Sequence, residues 1–249
     1  MPDLAFVLVA RPELPALDAV VASAARVGVT LTDGKVDDGV LSFEVQGGGL
    51  FFAALMKAPH PDAPHMASGP TSVSPEEAAA APAHFIVTAM SLEGTALERD
   101  TRMAALASTI VDNVPAVAAM LGHGVVFHQA KLFADLARRG AEQGELPPEL
   151  AVDITAARES EERMSFLSHG LVRYGREEIY MTCPIRGKGA LDFMFSLVRW
   201  LLTDREKQLP TGETLGRSDD EKVTIQRVPN PAGAGGDSAP LVIRLDLAS

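Results

Sequence analysis

The sequence predicts an α+β protein of mixed, mostly antiparallel sheets with helices packed on one face. Three observations carry this. Apolar runs of strand length alternate with stretches of helical periodicity. The tripeptide Gly47-Gly48-Gly49 joins two strand-like runs directly, and glycine supplies the positive φ that a tight hairpin requires. The resulting order, β-α-β-β, then β-α-β-α, then β-β-β-α-β-β, mixes hairpins with crossovers, unlike a doubly wound parallel sheet. The first and last groups each hold one helix among several strands. Two ferredoxin-like halves are therefore expected in one compact α+β domain over residues 1–249, with sub-halves 1–145 and 146–249.

Leu4–Val9 is a continuous apolar run, as for a strand covered on both faces. Pro12 and Pro15 break it, and a helix is expected from Ala16 to Val27, stopped by Gly28. Leu31–Asp38 is polar and reads as a turn. Val40–Val45 alternates, with Leu41, Phe43 and Val45 on one side, and leads through the three glycines into Leu50–Met56. Ala58–Ala83 is rich in Pro and Ala. Within it Ser74, Pro75 and Glu77 spell an N-cap, a first-turn proline and a capping box for a short helix to Ala80. This connection reads as a surface excursion, with a lid or substrate-facing loop as the alternative.

His84–Met90 is the next apolar strand. Met103, Leu106, Ile110, Val114, Val117 and Leu121 then recur at helical spacing, predicting a helix over Leu97–Leu121 that kinks or breaks near Asp112 because Pro115 falls inside it. A short strand over Val125–His128 and an amphipathic helix over Gln129–Gln143 follow. Strands are expected at Ala151–Ala156, Met164–Tyr174 and Glu177–Thr182, with a charged turn at Arg158–Arg163. Gly189–Asp204 is apolar almost all round, as for a helix that is buried or covered by a partner subunit. Val223–Val228 and Leu241–Leu247 are terminal strands.

Composition narrows the function. With 47% apolar residues the chain buries a core, and with 5% aromatics that core is aliphatic. A net charge of −11, spread along the chain, disfavours phosphate backbones and basic membrane-surface contacts, so neither nucleic acid nor membrane is an expected partner. Asp3 stands where a signal peptide would be basic, and no run reaches the roughly 18 apolar residues of a spanning helix. A cytoplasmic protein is expected. The one cysteine, Cys183, admits no intramolecular disulfide and reads as a small buried hydrophobe.

The densest stretch is Ser168–Cys183. His169, Arg173, Tyr174, Glu177 and Glu178 lie within ten residues there, and Gly170 and Gly175 mark bends. A histidine beside carboxylates suits general acid–base work, because a carboxylate fixes its tautomer and it titrates near neutrality. The structural alternative is a cross-strand ion pair, with Glu177 or Glu178 opposite Arg173 and the Tyr174 hydroxyl satisfied by backbone. The histidines His60, His65, His84, His123, His128 and His169 show no metal-binding spacing, so no metal and no cofactor is expected. Arg186-Gly187-Lys188 opens a helix and offers an anion-binding turn, or an ordinary basic one. No nucleophile elbow and no dinucleotide glycine fingerprint occurs.

The pattern H-G-L-x-x-Y-G-x-x-E-I at His169–Ile179, followed by G-E-T-L-G at Gly212–Gly216, resembles the bacterial domain of unknown function number 4261. L-P-x-L at Leu14–Leu17 and G-V-L-S-F at Gly39–Phe43 fit it too, so the resemblance spans nearly the whole chain. Ala58–Ala83 and Arg186–Lys188 have no counterpart in it. The family has no established activity, and the resemblance implies an accessory or interaction protein of a bacterial system. The expected function is thus a non-enzymatic module that binds a protein partner. A hydrolase-like enzyme using His169 with Glu177 or Glu178 is the alternative. A structural homodimer pairing its terminal strands edge to edge is a third.

Overall fold

A computed structural model describes residues 3–67, 69–185, 189–203, 206–216, 221–232 and 241–247. The chain divides at residue 151 into two units, Met1–Ala151 and Val152–Ser249. Helices and mostly antiparallel sheets make it an α+β protein.

The first unit grows from β1 (Asp3–Val9), whose continuous apolar run lies in the interior of a seven-stranded sheet. After α1 (Leu17–Arg26) come β2 (Leu31–Asp37), β3 (Val40–Val45) and β4 (Leu50–Met56). Then follow α2 (Pro75–Ala80), β5 (Ala83–Met90), α3 (Ala96–Val111), β6 (Ala116–Leu121) and β7 (His128–Gln129). The helices α4 (Ala130–Gln143) and α5 (Pro148–Ala151) close the unit. The sheet order is β2-β3-β4-β5-β1-β6-β7, antiparallel throughout. The path β1-α1-β4-β5-α3-β6 has the interleaved order β6-β1-β5-β4, which is the ferredoxin-like arrangement. The strands β2, β3 and β7 extend it at both edges.

Strand alternation divides the sheet into two faces. Ala5, Val7, Phe51, Ala53, Phe85 and Val87 are fully buried on the face where α1, α3 and α4 pack. Leu8, Ala118 and Met120 point the other way. They are covered by Ala63, Ala67, Val73, Ala78 and Ala81 of the Pro-rich connection. That segment is therefore a second layer over the β1–β6 half of the sheet rather than a surface excursion, and the helices are not all on one face. Its α2 carries the predicted capping box: Ser74 Oγ accepts from the Glu77 N–H at 3.2 Å, and Glu77 accepts from the Ser74 N–H at 3.0 Å.

Two elements differ from the sequence reading. Residues 116–121 form β6 rather than the end of a long helix. Pro115 bars its predecessor from helical geometry, and pairing of Val7 with Ala119 completes the sheet. Leu31–Asp37 is an edge strand rather than a turn. Only Leu31 is buried, and a register shift between Thr32 and Lys35 accompanies a positive φ at Asp33. Solvated edge strands of this kind carry little apolar signal.

The second unit comprises β8 (Asp153–Arg158), β9 (Arg163–His169), the 3₁₀ turn Leu171–Tyr174 and β10 (Ile179–Pro184). It continues with α6 (Ala190–Thr203), β11 (Thr214–Leu215), β12 (Val223–Thr224), β13 (Gln226–Pro229) and β14 (Leu241–Asp246). Its main sheet has the order β13-β14-β10-β9-β8, with β10 and β14 parallel neighbours. Among its described residues, one α-helix and an adjacent parallel strand pair distinguish it from the ferredoxin-like half expected there. β14 lies between β13 and β10, so Leu241–Leu247 has no free edge to pair with a second copy. The edges are β13 and β8.

The helix α6 is amphipathic. Ala190, Met194, Leu197, Val198 and Leu201 are buried, whereas Asp192, Ser196, Arg199 and Thr203 are exposed. Trp200 stays 39% exposed, with the Lys207 ammonium 5.2 Å from its ring centre. The helix is thus less of a partner surface than its composition suggested.

Candidate functional site

The reversal between β9 and β10 brings the His169–Glu178 stretch together in a way its spacing did not show. Gly170 (φ 123°) and Gly175 (φ 74°) bracket the 3₁₀ turn, conformations that side chains rarely adopt. Leu171 is fully buried under it. Because Leu171–Tyr174 is a turn and not a strand, Arg173 leaves the strand ladder, and the predicted Glu–Arg173 register does not arise. Arg173 is exposed and Tyr174 half-buried on the turn.

Glu178 holds this turn in place. One carboxylate oxygen accepts from the backbone N–H groups of Gly170 at 2.8 Å and Val172 at 3.3 Å. The other accepts from the Ser168 hydroxyl, whose oxygen in turn accepts from the Ile179 N–H at 2.7 Å. Glu177 forms a bidentate pair with Arg227, at 2.8 Å to Nε and 2.6 Å to Nη2, and this pairing raises the guanidinium pKa. His169 Nε2 lies 2.8 Å from the Thr155 hydroxyl. Burial pushes its pKa below the ordinary 6.5, against the opposing pull of Glu178 and Asp153. Glu177 and Glu178 thus make their hydrogen bonds elsewhere, while Glu178 and Asp153 act on the imidazole through space. Beside Glu177, a cavity of about 240 Å³ is walled by Gly175, Arg176, Lys207 and Arg227 over Leu201 and Ile243.

The same sheet carries a polar group that sequence reasoning missed. Glu159 accepts from the Ser165 hydroxyl at 2.6 Å and the Tyr180 hydroxyl at 2.9 Å. The Ser165 bond, then the Tyr180 bond, lower the Glu159 pKa. Tyr180 is raised by burial first and by Glu159 second. A lowered carboxylate and a raised phenol favour ionised Glu159 and neutral Tyr180, the state in which Glu159 accepts both hydroxyl bonds and ties the start of the β8–β9 turn to the sheet. Its members lie 6 and 21 residues apart, with no local motif to announce them. Cys183 is 1% exposed, in keeping with a small buried hydrophobe.

His60 and His84 lie ring against ring, with centroids 5.1 Å apart, and the other histidines disperse. His128 Nδ1 meets Thr71 Oγ1 at 2.7 Å, and His84 Nδ1 donates to the Ala58 carbonyl at 2.9 Å. His123 stands 4.0 Å from Asp100, and His65 is exposed. Among the described residues no group of three or more His, Cys, Asp or Glu is placed to hold a metal ion. No helix among them is long and apolar enough to cross a membrane. Arg186–Lys188 lies outside the described residues.

An exposed apolar surface lies on the first sheet, beside the half that the Pro-rich segment covers. Leu50, Met56 and Met90 are 41–43% exposed there. Between them Phe52, Ala54, Ile86 and Leu4 are half-buried. The strand register puts Leu50 beside Met90, Ala54 beside Ile86, and Leu4 beside Thr88. Across β4, β5 and β1 this face carries no Asp, Glu, Lys or Arg.

No family model matches the chain, and neither a curated protein nor a solved structure is significantly similar to it.

Proposed function

We propose that the protein is a non-enzymatic binding or accessory module that recognises a protein partner through the uncharged β4-β5-β1 face of its first sheet. The carrying observation is that face itself. Three large side chains, Leu50, Met56 and Met90, stand more than two-fifths exposed around half-buried neighbours. Contiguous apolar surface of this sort is costly in water and marks interaction sites. A protein with a complementary apolar patch recovers that cost, and Glu44 of β3, opposite Leu50, borders the patch with a charge that a partner can meet at its rim.

The state of the His169 stretch supports the same reading over the hydrolase alternative. The hydrolase reading assigned the carboxylate partner of His169 to Glu177 or Glu178. Glu178 is committed to the backbone of the turn and Glu177 to Arg227. An accessory role in a bacterial system, expected from the motif resemblance alone, is part of the same proposal.

Affinity capture with the purified chain from a lysate of its own host tests the proposal. A single stoichiometric protein is the expected result. A clean lane, together with small-molecule turnover that His169→Ala abolishes, would favour the enzyme instead. Recovery of the chain itself as the only partner would favour the homodimer.

A further inference from the structure

Each main sheet ends in two edge strands, and three of these four edges are guarded against pairing with another chain. β2 carries Asp33, Lys35 and Asp37 and a register shift. β7 is two residues long and bridges to Ser72. β13 ends in Pro229. β8 has none of these devices. Residues 154–157 hold no charge and no proline, and the register with β9 runs unbroken from Asp153 to Arg158. Among the described residues no strand pairs with the other side of β8. The charge at its exposed end is drawn away from that side. Arg158 donates from Nε to the Ser160 carbonyl at 3.0 Å and from Nη2 to the Glu161 carbonyl at 3.3 Å.

The turn after β8 shows which backbone groups face outward. The Glu159 N–H donates to the Arg163 carbonyl at 3.0 Å, so residues 159 and 163 form a bonded pair. Bonded pairs alternate along an antiparallel ladder. Thr155 and Ala157 therefore bond to β9, while Ala156 and Arg158 turn their N–H and C=O groups to the open side. Residues 156–158 are exposed there. Beside this edge lies a groove of about 710 Å³, lined by Ala156, Met164, Pro184 and Ile185 together with Glu161 and Glu162. Ile185 is 40% exposed, and both glutamates are exposed. Ala156 and Met164 share one face of the sheet by strand alternation.

We propose that the β8 edge is a strand-addition site for an extended segment of a partner protein, which sets apolar side chains in the groove and a lysine or arginine against Glu161 and Glu162. The outward N–H and C=O groups of Ala156 and Arg158 are matched in pairs by an extended chain. A residue set opposite Ala156 carries its side chain to the same face, beside Met164 and Ile185. The two carboxylates select a basic residue. The net charge of −11 favours a basic partner over a second copy of the chain. The site lies wholly within the second unit and does not depend on the β4-β5-β1 face.

Panning a phage-displayed library of random twelve-residue peptides on the full chain tests the site. Enriched sequences are expected to carry apolar residues at alternate positions and a Lys or Arg. A synthetic peptide of the most enriched sequence should slow hydrogen exchange across residues 154–158 by about tenfold or more at saturation. Two further versions, N-methylated at the odd or at the even residues, should part company. One keeps the parent affinity to within about threefold and the other loses about tenfold or more, because only alternate N–H groups of an added strand face its neighbour. Glu161→Lys/Glu162→Lys should weaken the parent peptide by about threefold or more at low salt. No enriched sequence, an enriched peptide that leaves residues 154–158 unprotected, or equal effects of the two methylation patterns overturns strand addition. Unchanged affinity for the charge-reversed variant overturns the basic partner. A dimer in sedimentation whose residues 154–158 are already protected assigns the edge to a second copy and overturns the proposal as well.

Discussion

The Glu178 carboxylate accepts the backbone N–H of Gly170 at 2.8 Å, across the reversal that joins β9 to β10. Its role follows from what Gly170 must do. A residue at φ 123° turns the chain out of β9 and into a 3₁₀ turn, and a turn of four residues cannot satisfy its own first N–H groups. Glu178 does so, and through Ser168 it also serves Ile179. Glu178→Ala should lower the unfolding free energy by about 2–3 kcal/mol, because half-buried donors lose a charged acceptor. Glu178→Gln, which keeps a carbonyl oxygen for Gly170, should cost less. Denaturant titration followed by the fluorescence of Trp200, the one tryptophan and a residue of this unit, measures both.

The Glu177–Arg227 pair has good geometry but is 41% and 30% exposed. Solvent screening keeps such pairs weak. A double-mutant cycle with Glu177→Gln and Arg227→Met should return a coupling of about 0.5–1 kcal/mol, shrinking at high salt. A coupling that salt leaves unchanged would mean a more enclosed pair.

His169 gives the second unit a pH dependence of known sign. Its folded pKa is lowered, so the unfolded chain binds the proton more readily. Stability is full above pH 6.5 and falls as pH drops toward the lowered value. His169→Asn keeps a polar group for Thr155 but does not titrate, and should flatten the stability profile between pH 7 and pH 5. Unfolding curves across that range decide it.

Gly49 closes the β3–β4 hairpin at φ 110°, and a Cβ there would stand 2.7 Å from the Met90 carbonyl oxygen. Gly49→Ala should destabilise the first unit by about 1–3 kcal/mol. Gly48→Ala meets no atom within 4 Å and should cost less, since only its φ of 103° is strained. Thermal unfolding of the two variants side by side tests the difference.

Local chemistry was legible in the sequence where short-range rules decide it. Ser74, Pro75 and Glu77 specified α2, and the alternation of Leu41 and Phe43 with Ser42 and Glu44 specified β3. Position within the sheet was not legible. β6 is covered on both faces, so its apolar residues show no alternation, and the spacing of Val114, Val117 and Leu121 passes for a helix. β2 sits at the solvated edge, and its Asp33, Lys35 and Asp37 pass for a turn. The candidate site failed for a related reason. Glu177 and His169 are neighbours in sequence, but their partners Arg227 and Thr155 lie 50 and 14 residues away, where spacing carries no signal.

The uncharged β4-β5-β1 face of the first sheet is the centre of the functional proposal. Its most direct test is a parallel capture with wild type and the double variant Leu50→Lys/Met90→Glu, which sets opposite charges at a cross-strand pair. Both positions are over two-fifths exposed, so the variant should keep wild-type stability to within about 0.5 kcal/mol. The expected result is one stoichiometric partner bound by wild type and lost by the variant at unchanged melting temperature. A partner retained equally by both, or none bound by either, would contradict the assignment of this face.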